Sequence, residues 1–141
     1  MMMNSNTSAM REYRQVNLRQ VVEGATPHRL VQLMMERVLA KIAIARGHLQ
    51  RKAVAEKGKH IGDAISIING LQVSLNHKAD SELCGNFDAL YDYMARRLLE
   101  ANLHNDDAKL QEVADLMRQV KEAWDAIGDE VVAAQRAAVT A

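Results

Sequence analysis

Apolar side chains recur at three- and four-residue steps through four long stretches of this chain, the spacing that lines one face of an α-helix. In the first stretch Val31, Met34, Met35, Val38, Ile42, Ala45 and Leu49 form a stripe. Leu30, Leu33, Leu39 and Ile44 widen it, so this helix is expected to face neighbours on more than one side. Thr26 and Pro27 supply an N-cap and a first helical residue. The pattern fades near "QRKAVAEKGK", where Arg46, Arg51 and Lys52 suit a helix C-terminus. The second stripe is Ile61, Ala64, Ile65, Ile68, Leu71, Gln72 and Leu75, and the third is Leu83, Phe87, Leu90, Tyr91, Met94, Leu98 and Ala101. The fourth runs through Leu110, Val113, Met117, Val120, Trp124 and Ile127. Asp80 or Ser81 is expected to cap the third helix and Asn105 or Asp106 the fourth, with Gly128 placed as a stop.

Four long amphipathic helices with short connections predict an all-α fold, an antiparallel up-down four-helix bundle. A shorter piece precedes it. "MREYRQVNLRQVVEG" carries Met10, Tyr13 and Val16 at three-residue steps before Gly24 breaks the pattern. The chain therefore divides into a flexible N-terminal segment with a short amphipathic helix (1–25), a bundle (26–128) and a C-terminal tail (129–141) that either extends the last helix or frays. Gly58, Gly62 and Gly70 fall in or beside the second helix. Each interior glycine costs roughly 1 kcal/mol relative to Ala, offset where another backbone comes close.

Composition agrees with this pattern and adds two exclusions. One proline and seven glycines in 141 residues leave little to interrupt helices. The single Cys84 rules out an intramolecular disulfide and fits a reducing compartment, so a cytoplasmic location is expected. No apolar run reaches the ~18 residues of a membrane span, and no membrane insertion is expected.

The net charge of zero conceals a polarity. Residues 1–70 hold 11 Lys/Arg against 5 Asp/Glu and residues 71–141 hold 7 against 13, so the halves carry +6 and −6. Opposite charge on two helical hairpins favours one docking topology. A neutral chain has no general attraction to phosphate, so no nucleic-acid partner is expected. The cluster Arg46, Arg51, Lys52, Lys57 and Lys59 reads as a solvated bundle end, with an acidic docking partner as the alternative.

A search for chemistry finds no catalytic residues. No signature assembles a triad and no Gly-rich phosphate loop is present. A di-iron bundle needs Glu-x-x-His motifs at a spacing of three, whereas Glu56…His60 and Glu100…His104 are four apart and read as surface pairs. No metal, cofactor or small-molecule substrate is therefore expected. More informative are apolar residues off their own stripes: Ile67 and Val73 on the second helix, Leu99 and Leu103 on the third, Leu116 on the fourth. Such a set, with flexible methionines nearby, predicts a groove for an amphipathic helix of a partner.

The five aromatic residues sharpen this reading, because Phe87, Tyr91 and Tyr93 crowd one turn and a half of helix. "NFDALYDYMARRLLEANLHNDDAKLQEV", with Trp124 downstream, closely resembles the flagellar secretion chaperone FliS family. The likeness runs through Asn86, Leu90, Tyr91, Asp92, Tyr93, Met94, Arg97, Leu98, Ala101, Asn102, Asn105 and Asp106, and also through Thr26, Pro27 and Leu30 and through Tyr13 and Val16. Asp80-Ser81, Asn86-Phe87 and Glu36-Arg37 depart from the family pattern. The resemblance implies a cytoplasmic four-helix bundle that binds the C-terminal region of flagellin, prevents its early polymerisation and helps deliver it to the flagellar export gate. It also implies that the N-terminal segment, through Met10, Tyr13 and Val16, acts as a lid over a groove when flagellin is absent. A helical regulatory adaptor using the same groove for another flagellar or regulatory protein is the alternative.

Overall fold

The computed structural model describes residues 26–75 and 82–140, with side chains over 26–75 and 85–128. Four helices follow in order: α1 (Pro27–Gln50), α2 (Val54–Ser74), α3 (Glu82–His104) and α4 (Asp107–Thr140). No strand occurs among the described residues, in line with the expected all-α class. The chain separates into two units, Met1–Leu30 and Val31–Ala141. The described part of the first is a helix start, where the backbone N–H of Arg29 donates to Thr26 Oγ1 at 3.1 Å. Thr26 is thus the N-cap that its type suggests. The segment holding Met10, Tyr13 and Val16, the Asp80-Ser81 cap and the Cys84 side chain lie outside the described residues.

In the second unit, buried positions alternate steps of three and four on every helix. They are Met35, Val38, Ile42 and Ala45 on α1; Ile61, Ala64, Ile68 and Leu71 on α2; Phe87, Tyr91, Met94, Leu98 and Ala101 on α3; Leu110, Val113, Met117 and Val120 on α4, with Lys57 and Ala114 buried beside them. That alternation averages a 3.5-residue repeat, the seam geometry of knobs-into-holes bundles. Polar pairs at the seams fix the neighbours. Lys41–Asp63 joins α1 to α2 at 2.9 Å, the Gln72 amide donates to the Asp88 carbonyl at 3.4 Å across α2 and α3, and Arg97–Glu112 joins α3 to α4 at 2.7 Å. Arg46–Asp107 at 2.8 Å and Lys121–Glu36 at 3.9 Å close the ring between α1 and α4. Late residues of each helix meet early residues of the next, so all four neighbours run antiparallel.

The seams are not equally tight. Backbones approach most closely between α2 and α3 and between α3 and α4. At Gly58 a Cβ would lie 3.5 Å from the Asn102 amide oxygen of α3, and at Gly70 the Met34 methyl of α1 fills the space at 3.1 Å.

Several expectations need correction. α1 stops at Gln50 and α2 starts at Val54, so the fading "AVAEKGK" stretch belongs to the second helix. Lys52 takes a left-handed conformation (φ 60°), and the Ala53 N–H donates to the His48 carbonyl at 2.9 Å, a Schellman ending. Asn105 (φ 51°) ends α3 the same way, with the Asp106 N–H donating to the Ala101 carbonyl at 3.0 Å. Of the two expected caps for α4, Asp106 is the one that serves, accepting from the Lys109 N–H at 3.3 Å. Gly128 does not stop α4, which continues to Thr140. One interior glycine costs roughly 1 kcal/mol, and the alanine-rich stretch beyond it favours helix. Ile44, expected to widen the α1 stripe, is 43% exposed.

Candidate functional site

The residues expected to bind a partner fall into two groups. Val73, Leu103 and Leu99 stand out from the bundle at 84%, 69% and 53% exposure. Ile67 and Leu116 are half-buried and pack against the core. Leu99 and Leu103, one turn apart, share the outer face of α3, but the structure does not unite them with Val73. The Gln72–Asp88 contact places the C-terminal end of α2 beside the N-terminal part of α3. Leu103 lies fifteen residues further along α3, about 22 Å away at 1.5 Å per residue.

Leu116 has different company. It lines an open groove of about 260 Å³ between α3 and α4 together with Asn86, Phe87, Leu90, Gln119, Val120 and Ala123. Phe87 forms the floor, stacking on Tyr91 at 6.1 Å and meeting Trp124 edge-on at 6.2 Å and 79°. Five of the seven lining residues are apolar, which suits the apolar face of a helix or an extended segment. Sequence reading found Leu116 by its displaced position but assigned Phe87 and Leu90 to the core alone. A groove depends on the gap between two helices, which periodicity within one helix does not contain.

The seam beyond this groove is polar. The Tyr93 hydroxyl donates to Glu112 Oε1 at 3.0 Å, so this tyrosine sits off the core stripe and reaches a polar partner at a helix–helix seam. Arg97 holds both Glu112 oxygens at 2.7 and 3.2 Å, and its guanidinium lies 5.7 Å from the Tyr93 ring centroid. The Arg97 hydrogen bond, followed by that of Tyr93, holds the Glu112 carboxyl below its ordinary range. Tyr91, two residues earlier, is pushed up to about 12 by burial.

The basic cluster disperses on folding. Arg46 makes a two-pronged pair with Asp107 at 2.8 and 3.0 Å. Lys57 is 1% exposed, its ammonium donating to the Asn102 carbonyl at 3.0 Å and to Asn105 Oδ1. Its position four residues before Ile61, on the same stripe, was the available signal. Lys57 thus ties the start of α2 to the end of α3. Nearby, Leu49, Lys52, Val54 and Asn105 line a second depression of about 360 Å³.

Glu56 and His60 acquire a third companion. His48, from the last turn of α1, stacks on His60 with ring centroids 5.3 Å apart and planes within 10°. One ligand-capable atom from each of His48, Glu56 and His60 lies within 4.8 Å of the others. No helix among the described residues is long and apolar enough to cross a membrane.

Comparison with known proteins places this arrangement. Residues 9–131 match the family described as Flagellar protein FliS. The chain is 48% identical over 119 residues to the flagellar secretion chaperone FliSB of Pseudomonas aeruginosa, covering 84% of this chain and 94% of that protein. It is 38% identical over 118 residues to the flagellar secretion chaperone FliS of Salmonella typhimurium, covering 83% and 87%. Against the flagellar secretion chaperone FliS of Escherichia coli it is 41% identical over 113 residues, covering 79% and 83%.

Proposed function

The chain belongs to the FliS family of flagellar proteins, and on that premise we propose that it is a cytoplasmic export chaperone for flagellin. It binds the C-terminal region of flagellin, keeps that region from polymerising and helps present it to the flagellar export gate. The observation that carries this reading is open apolar surface on a bundle of this family: the α3–α4 groove with Leu116 on its wall, and Val73, Leu99 and Leu103 standing out from α2 and α3. Separate apolar sites suit a partner that wraps rather than one that docks at a point. Ile67, half-buried against the core, offers less surface than Val73, Leu99 and Leu103. Such a partner orders as it binds, and the burial of its apolar residues offsets the entropy lost. Binding and covering suffice for this role without a catalytic step.

Met10, Tyr13 and Val16 are proposed as an internal competitor for the flagellin groove, lowering apparent affinity by the fraction of time that they occupy it. Calorimetric titration with a flagellin C-terminal peptide tests both parts. The full chain is expected to bind with a negative heat-capacity change. Leu116→Asp is expected to weaken binding at least about tenfold, a loss of ~1.4 kcal/mol. Deleting residues 1–24 is expected to tighten it. Absence of binding by the full chain defeats the chaperone reading, and unchanged or weaker binding after the deletion defeats the competitor alone.

A further inference from the structure

We propose that His48, Glu56 and His60 form a binding site for a divalent transition-metal ion of the zinc class, bridging the end of α1 to the start of α2. The three residues come from two helices. Glu56 and His60 lie four apart on α2, one above the other on the same face. The Schellman ending at Lys52 and Ala53 turns the chain so that His48 of α1 faces His60. One ligand-capable atom of each already lies within 4.8 Å of the others, and rotation of the Glu56 carboxylate and of the two stacked rings would turn them onto a common ion.

The chemistry of this set is selective. Two imidazoles and one carboxylate match the three-ligand sets that hold zinc and leave a fourth tetrahedral position to water. Imidazole also suits copper and nickel, whereas magnesium and calcium prefer all-oxygen sets. Glu56 makes no ion pair among the described residues, although lysines flank it in sequence.

Two cations oppose the ion. Lys41 Nζ stands 3.5 Å from His60 Nδ1 and is itself paired with Asp63 at 2.9 Å, and Arg51 Nη2 lies 3.3 Å from His48 Nδ1. An incoming metal must displace or repel them. Lys41 is therefore an antagonist of the site, and its removal has a predictable sign. The consequence of occupancy is a clamp between the end of α1 and the start of α2, beside the turn that connects them. An ion bound only by the folded chain raises its melting temperature in proportion to the logarithm of free metal.

The test uses full-length, tag-free protein stripped of metal and titrated with zinc chloride by calorimetry, with thermal melts in parallel. One equivalent is expected to bind and to raise the melting temperature by several degrees. His60→Ala and Glu56→Gln are each expected to weaken binding at least about tenfold, and Lys41→Met to tighten it. Cobalt supplies a second readout, with visible ligand-field absorption that His48→Ala abolishes. Absence of zinc binding overturns the proposal. So does binding that survives both His60→Ala and His48→Ala, which would place the ion on other side chains. The inference stands apart from the chaperone reading, because no flagellin enters the experiment.

Discussion

Where α3 meets α4, the polar contacts are made by Arg97, Glu100, Lys109 and Glu112, with Tyr93 closing the set. Where α1 meets α2, they are made by Lys41 and Asp63 and by the stacked rings of His48 and His60. The first seam also brings backbones close and places Phe87 against Trp124. The difference is one of permanence. Arginine, lysine and glutamate keep their charges across the whole neutral range, so the α3–α4 seam is fixed and able to hold a groove in shape. Imidazole changes charge near neutrality and ligates metals, so the α1–α2 corner responds to conditions.

The largest expected effect asks whether the two regions share one core. Met94→Ala on α3 and Ile42→Ala on α1 each remove a side chain that is fully buried. Each is expected to cost roughly 2–5 kcal/mol in denaturant unfolding with an unchanged slope. A much smaller loss for Ile42 would show that α1 unfolds separately, and the comparison would then be between two cooperative units.

Next in size is the loss of the α3–α4 clasp. Arg97→Met removes a two-pronged ion pair and a ring contact at a site that is partly exposed. A small loss of thermal stability is expected, reduced by added salt. The matched change Asp92→Ala, which breaks an exposed pair with Arg96 within α3, is expected to change the melt hardly at all. Equal effects from the two variants would remove any special standing for the seam.

Smallest is the response to pH. The folded His60 pKa lies below that of a free imidazole, so protonation costs more in the folded chain than in the unfolded one. The stability contributed by the neutral ring is present in full above about pH 6.5 and is lost as pH falls through the lower folded value. Asp63, Glu100, Asp107 and Glu112 are depressed carboxylates, held down first by Lys41, Lys109, Arg46 and Arg97 respectively. Their contributions persist until pH falls below about 4 and toward their folded values. As pH falls below about 6.5, backbone chemical shifts are therefore expected to move around His60 before they move around Arg97 and Glu112. Simultaneous movement at both seams would contradict the division.

Much of the bundle was legible because its information is local. The three-four alternation in Met35–Ala45, Phe87–Ala101 and Leu110–Val120 names the buried faces, and Thr26 marks its own helix start. What escaped depends on pairs of helices. Lys57 looks like one more surface lysine until the carbonyl of Asn102, forty-five residues away, is seen to accept its proton. His48 is unremarkable until the turn at Lys52 lays it on His60. Val73, Leu99 and Leu103 were found as exposed residues, yet their separation required the antiparallel register of α2 and α3. Gly128 misled because a glycine stop needs a left-handed residue, and no glycine of the described chain adopts one.

Methyl nuclear magnetic resonance of the full chain, titrated with a flagellin C-terminal peptide, tests most directly whether the fixed seam is the one that holds the partner. The methyl groups of Leu90, Leu116 and Val120 in the α3–α4 groove are expected to shift most. Those of Val73, Leu99 and Leu103 are expected to shift as the partner wraps, and Ile42 in the core is expected to stay in place. A titration that moves Val54 and Leu49 at the α1–α2 end while leaving Leu90, Leu116 and Val120 unmoved would contradict this assignment.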